Sequence, residues 1–239
     1  MRQILIFCLI LTLTCFQVAN AQNETGPGQS VSDTAISYPS CGDLEYGGMT
    51  YHTVRIGTQC WMRENLNVGK WVDVAVQQKQ ANDGNIEKYC YGNDFVQCDL
   101  WGGLYTWDEM MYYTQASGAQ GICPAGWHIP TALDLKTLIG FLGGEDMAGG
   151  KLKSTGSRDW QIPNVGASNS SGFTAFPGGY YDQMASRWYD QHRAGYFWTS
   201  EMMSSGTAEA MTMSFRNTVV SRYEEYKPSA LSVRCIRND

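Results

Sequence analysis

Cysteine placement constrains this chain more than any other feature. Of its eight cysteines, Cys8 and Cys15 sit in an N-terminal segment, MRQILIFCLILTLTCFQVANA, and six lie beyond it: Cys41, Cys60, Cys90, Cys98, Cys123 and Cys235. The segment carries one charge, at Arg2, then an apolar run from Ile4 to Leu13 and the small-x-small pattern Ala19-Asn20-Ala21. That run is short for a membrane span, and the pattern reads as a cleaved export signal over residues 1–21, with Gln22 as the first mature residue. A competing reading places lipid on Cys15, although Thr14 is bulky for the position before a lipidated cysteine. Export leads to an oxidising compartment, where six cysteines read as three disulfides. Six cysteines allow 15 pairings. Zinc is a poor alternative, because there is no C-x-x-C pair and His52, His128 and His192 are far apart in sequence. The same absence of C-x-x-C argues against a redox-active pair.

Residues 22–40 (QNETGPGQSVSDTAISYPS) are polar, rich in Gly and Ser, and without apolar periodicity, so they read as a flexible leader. A single folded domain is expected over 41–239. Met49–Ile56 and Gln59–Leu66 read as a hairpin around Gly57-Thr58. The stretch from Gly69 to Asn85 reads as a polar surface excursion. Cys90 and Cys98 flank a Gly-Asn-Asp turn, a spacing suited to a local bridge. Leu104, Trp107 and Met111 predict a short helix over 104–113. A second helix starts at Thr131, where Thr131 and Asp134 form a capping-box pair. It continues with Leu135, Leu138, Ile139 and Leu142 at helical spacing and stops at Gly143-Gly144. Short strands are expected over 172–181, 195–202, 210–215, 217–223 and 230–236. Two helices followed by a run of strands indicate an α+β domain.

Six segments in order, CGDLEYGGMTYHTVRIGTQCWMRENLNVG, GICPAGWHIPT, GGKLKSTGSRDW, NSSGFTAFPGGYY, FWTSE and SVRCIRND, resemble the Fibrobacter succinogenes major paralogous domain family over nearly all of 41–239. That family comprises exported or surface proteins of Gram-negative bacteria, often lipid-anchored. The resemblance implies a C-type-lectin-like fold shared with formylglycine-generating-enzyme relatives, made of two helices with short antiparallel strands and stapled by disulfides. In such a fold a long-range bridge ties the region before the second helix to the last strand, which implies Cys123–Cys235. Alternation in ALSVRCIR then places Leu231, Val233 and Cys235 on the inner face. A loop of this length supplies ~4 to 5 kcal/mol, against roughly 2 to 3 for a Cys90–Cys98 loop. Cys41–Cys60 is the remaining pair.

Catalytic constellations are weak. GASNSSG at 166–172 lacks the strand-turn-helix setting of a nucleophilic serine, and reads as a turn-rich loop. Asp108-Glu109 and Glu224-Glu225 are adjacent acids, which do not normally converge on one point as glycosidase carboxylates must. The oxidase chemistry of the formylglycine-generating relatives needs free thiols, and three bridges would leave none. The E-P-N, Q-P-D and W-N-D motifs of calcium-dependent lectins are missing; Gly92-Asn93-Asp94 reads as a turn. No cofactor is expected. After signal removal 16 basic and 23 acidic side chains leave a net charge of −7, which argues against nucleic acid.

Aromatic residues are the remaining signal. Trp61, Trp107, Trp127 and Trp198 lie in apolar patterns and are expected in the core. In GGYYDQMASRWYDQHRAGYF, residues 178–197, Tyr180, Tyr181, Trp188 and Tyr189 alternate with polar groups that include Arg187 and Asp190. Flat rings beside guanidinium, acid and amide groups suit a sugar or a protein epitope. Trp71 and Trp101, in loops, are further candidates. The chain is therefore expected to be an exported, non-catalytic surface or adhesion module that binds a glycan or cell-surface protein through its C-terminal half. Its contact with membrane would be only through lipid on Cys15. An extracellular polysaccharide-active enzyme and a structural subunit of a surface complex are the alternatives.

Overall fold

The computed structural model describes residues 38–156 and 158–238. The export signal, Cys15 and residues 22–37 of the leader lie outside the described residues. Tyr38, Pro39 and Ser40, the end of the expected leader, already contact the domain. The Tyr38 hydroxyl donates to the Asn169 carbonyl, Arg55 N–H donates to the Pro39 carbonyl, and Ser40 Oγ lies 3.1 Å from Thr53 Oγ1.

A first hairpin, β1 (Leu44–Tyr46) and β2 (Met49–Tyr51), turns at Gly47-Gly48 and leads into a second, β3 (Thr53–Ile56) and β4 (Gln59–Met62). Then come β5 (Lys70–Trp71), β6 (Glu87–Lys88), α1 (Phe95–Trp101), α2 (Trp107–Met110), β7 (Trp127–His128), α3 (Ala132–Phe141) and α4 (Glu145–Leu152). The C-terminal half holds β8 (Tyr180–Asp182), β9 (Arg187–Tyr189), β10 (Ala194–Met202), β11 (Thr207–Ser214), β12 (Val220–Tyr226) and β13 (Ile236–Arg237). β13 inserts between β4 and β7 in a four-stranded sheet, so the chain's last strand is central to it. The long strands β10, β11 and β12 form a second, antiparallel sheet.

The expected two-helix, C-type-lectin-like layout is overturned. Among the described residues there are four α-helices and thirteen strands in five sheets. The helix over 104–113 shortens to α2, whereas the second helix forms with the expected reciprocal cap between Thr131 and Asp134. Two further helices come from stretches with weak local signal. α1 starts within the Cys90–Cys98 loop and runs past it, is capped by Asp94, and buries only Cys98 and Trp101, too few residues to show a period. α4 contains Gly149-Gly150, a poor helix-forming pair. Those glycines are needed because a Cβ on Gly149 would lie 2.7 Å from the Thr218 carbonyl oxygen. The excursion from Gly69 contributes β5, which pairs in parallel with β6.

All three disulfides are present as expected: Cys41–Cys60, Cys90–Cys98 and Cys123–Cys235. Trp61, Trp107, Trp127 and Trp198 are buried, as are Leu231, Val233 and Cys235. The expected alternation fails at Arg234, which is also fully buried. Its guanidinium donates to Asn65 Oδ1 and to the carbonyls of Met62, Phe173 and Thr174, and it lies 4.5 Å over the Phe173 ring. These acceptors flank the segment on both sides, so neither face meets water. They also explain why the expected strand over 172–181 is reduced to β8, since part of its backbone serves the arginine.

Candidate functional site

The alternating aromatic segment forms a two-stranded hairpin, β8–β9, with Tyr180 opposite Tyr189, Tyr181 opposite Trp188 and Asp182 opposite Arg187. At the tip Asp182 Oδ1 accepts from Ala185 N–H, and Ser186 takes the left-handed conformation that closes the turn. Successive side chains leave opposite faces of a strand, so the six expected residues divide into two sets.

On one face Tyr180 and Tyr189 stack with centroids 5.2 Å apart, and Tyr196 of β10 meets Tyr180 edge-on at 5.0 Å. Tyr223 of β12 continues the row 6.3 Å from Tyr196. The Tyr196 hydroxyl donates to Asp190 Oδ2 at 2.8 Å, which holds that acid against the rings, and Arg193 lies 3.9 Å from its other oxygen. Burial, then the neighbouring Glu225, Asp182 and Asp190, push the Tyr180 phenol up to about 12. Burial and the Asp190 hydrogen bond likewise raise Tyr196. On the other face Tyr181 packs on Trp188 at 4.3 Å, Trp188 on Tyr91 at 5.4 Å and Tyr181 on Tyr89 at 5.3 Å. This second set belongs to an apolar cluster with Val72, Leu104 and Ala230, which anchors the hairpin to the domain. Arg187 is exposed at the hairpin's edge.

Where the hairpin meets the turn at 74–79 there is a groove of about 330 Å³. Tyr89 and Tyr181 line it together with Gln77, Lys79, Gln183 and Ser186. Among the described residues the side chains of Gln77, Lys79 and Gln183 make no hydrogen bond. Two tyrosines thus meet amide, ammonium and hydroxyl groups at one place. The contribution from 74–79 was missed in the sequence; its one signal was the amide-rich run QQKQ at 77–80 inside a stretch that read as a plain excursion.

The other candidates play structural parts. Trp101 is buried in α1, beside Phe176 and His192, and Trp71 packs at 6.4 Å from Phe95. The acids Asp108 and Glu109 diverge: Asp108 is exposed, whereas Glu109 is fully buried, accepting from Glu87 N–H and from the Tyr113 hydroxyl. Burial raises the Glu109 carboxyl above its ordinary range. Among the described residues no group of three or more His, Cys, Asp and Glu side chains is placed to hold a metal, and no helix is long and apolar enough to cross a membrane.

Compared with known proteins, residues 54–237 match the family model of the Fibrobacter succinogenes major domain. No curated protein and no solved structure matches the chain.

Proposed function

The chain belongs to the Fibrobacter succinogenes major domain family, and from that premise we propose that it is an exported, non-catalytic surface module that binds a glycan at the β8–β9 hairpin. One observation carries this reading: the groove in which Tyr89 and Tyr181 meet the unpartnered side chains of Gln77, Lys79 and Gln183. Sugars need apolar surface against their C–H groups and donors and acceptors for their hydroxyls; the buried Tyr89 and Tyr181 floor the groove with ring edge, and the unpartnered amides and ammonium at its rim are free to bond hydroxyls. Tyr180 and Tyr189 stack across the hairpin, and the Asp190–Tyr196 bond ties its far end to β10. Export is supported by the N-terminal segment and by three disulfides, which persist outside the cytoplasm. Retention at the surface of a Gram-negative cell would follow from lipid on Cys15, and release from cleavage after Ala21.

The test is a glycan array probed with the secreted chain, its disulfides intact. Gln77→Ala and Gln183→Ala should each weaken glycan binding by about three- to tenfold without moving the melting temperature, as loss of one neutral hydrogen bond predicts. Binding that is indifferent to both changes refutes the site. Release of new reducing ends from a bound polysaccharide refutes the non-catalytic assignment.

A further inference from the structure

The excursion that borders the hairpin groove through 74–79 also borders a second, larger cavity through Gly84, Asn85 and Ile86. We infer that this cavity, about 730 Å³ in volume and walled on its other side by the residues after α2, is a distinct binding site for a neutral saccharide. The volume lies within the range of small-molecule sites, roughly 300–1,000 Å³.

The end of α2 supplies the first argument. Tyr112 N–H donates to the Glu109 carbonyl and Tyr113 N–H to the Asp108 carbonyl, with φ of 50° at Tyr112 and 61° at Tyr113. This is the bonding of a Schellman cap, whose first left-handed residue is ordinarily glycine. A bulky side chain in this conformation is a true outlier, and such outliers cluster at functional sites. The Tyr112 ring stands in the cavity wall, 49% exposed, and its hydroxyl donates across to the Gly84 carbonyl. A second ring, Tyr46, is fixed in the same way by donating to the Ile122 carbonyl. Both hydroxyls are thus engaged with protein, and the rings are held in place for a ligand.

The polar lining supplies the second argument. No charged side chain lines the cavity. Gln120 donates its amide N–H to the Cys123 carbonyl, which leaves Oε1 as an acceptor, and Thr114 Oγ1 accepts from Ala116 N–H, which leaves its proton to donate. An ionic ligand would lose its hydration here with no counter-charge. A neutral sugar would stack a C–H face on a tyrosine and exchange hydroxyl hydrogen bonds with Gln120 and Thr114.

The secreted chain is titrated by calorimetry with cellotetraose, xylotetraose and chitotetraose, and with tetragalacturonate as an acidic counterpart. At least one neutral tetrasaccharide should bind, more tightly than the acid. Tyr112→Gly removes the ring while relieving the left-handed backbone, so the variant should fold, and it should weaken that binding at least tenfold. Thr114→Val should weaken it several-fold, and Tyr112→Phe, which keeps the ring, should retain it within about threefold. Gln183→Ala, at the hairpin groove, should leave it unchanged. The inference is overturned if no neutral tetrasaccharide binds, if Tyr112→Gly has no effect, or if tetragalacturonate binds more tightly. Loss in Gln183→Ala without loss in Tyr112→Gly also overturns it while upholding the hairpin site, so the two sites fail separately.

Discussion

The Cys123–Cys235 bridge closes a loop with a sequence separation of 112, whereas Cys90–Cys98 closes one of 8. Removing each pair as a double alanine variant tests loop length; all four cysteines are buried, but only Cys123 and Cys235 belong to the main core cluster, so lost packing adds to the cost of opening the long loop. Chain entropy assigns about 4.8 kcal/mol to the long loop and about 2.5 kcal/mol to the short one, a difference of about 2.3 kcal/mol set by the ratio of loop lengths. The Cys123→Ala/Cys235→Ala protein should still fold, since Ile236 stays paired with Trp61 and His128, and Met62 N–H still donates to the carbonyl of residue 235. Guanidinium unfolding followed by tryptophan fluorescence should therefore place it at least about 2.3 kcal/mol below the Cys90→Ala/Cys98→Ala protein, with a steeper slope because its unfolded chain is the less compact. An equal or larger loss from the short bridge would refute the loop-closure reasoning. Alkylatable thiol at position 123 or 235 in the denatured, unreduced protein would refute the pairing itself.

Three further outcomes are expected. Arg234→Met should cost about 3–5 kcal/mol in the same unfolding assay, because it strands four buried acceptors; Arg234→Lys should recover little, since an ammonium lacks the planar fork. Gly149→Ala, a change that in an open helix stabilises by roughly 1 kcal/mol, should here destabilise by about 1–3 kcal/mol, because the new methyl meets the Thr218 and Val219 carbonyls. Burial raises the Tyr51, Tyr89 and Tyr180 phenols to about 12, above their unfolded value near 10. Their contribution to stability is complete below pH ~10 and is lost as pH rises through the folded value, so alkaline unfolding should set in above pH ~10. Absorbance at 295 nm should show these tyrosines ionising with unfolding, and early ionisation in the folded protein would contradict their burial.

What was legible in the sequence was local or covalent. The Thr131–Asp134 cap and the turn at Gly57-Thr58 both rest on neighbours within a few residues, where backbone sterics and side-chain period decide the outcome. The three-disulfide framework followed from cysteine count and compartment, and the long bridge from family resemblance. Tertiary structure decided the rest. α4 forms around two glycines because only a bare backbone can approach the Thr218, Val219 and Gly166 carbonyls so closely, and propensity yields to that contact. Arg234 is buried because acceptors 60 to 172 residues away converge on it. The hairpin groove joins side chains at 77–79 with others at 181–186, and the larger cavity joins Tyr46, Asn85, Tyr112 and Gln120. Such meetings depend on how packed layers bring distant segments together, and local period and propensity carry no record of which segments will be opposed.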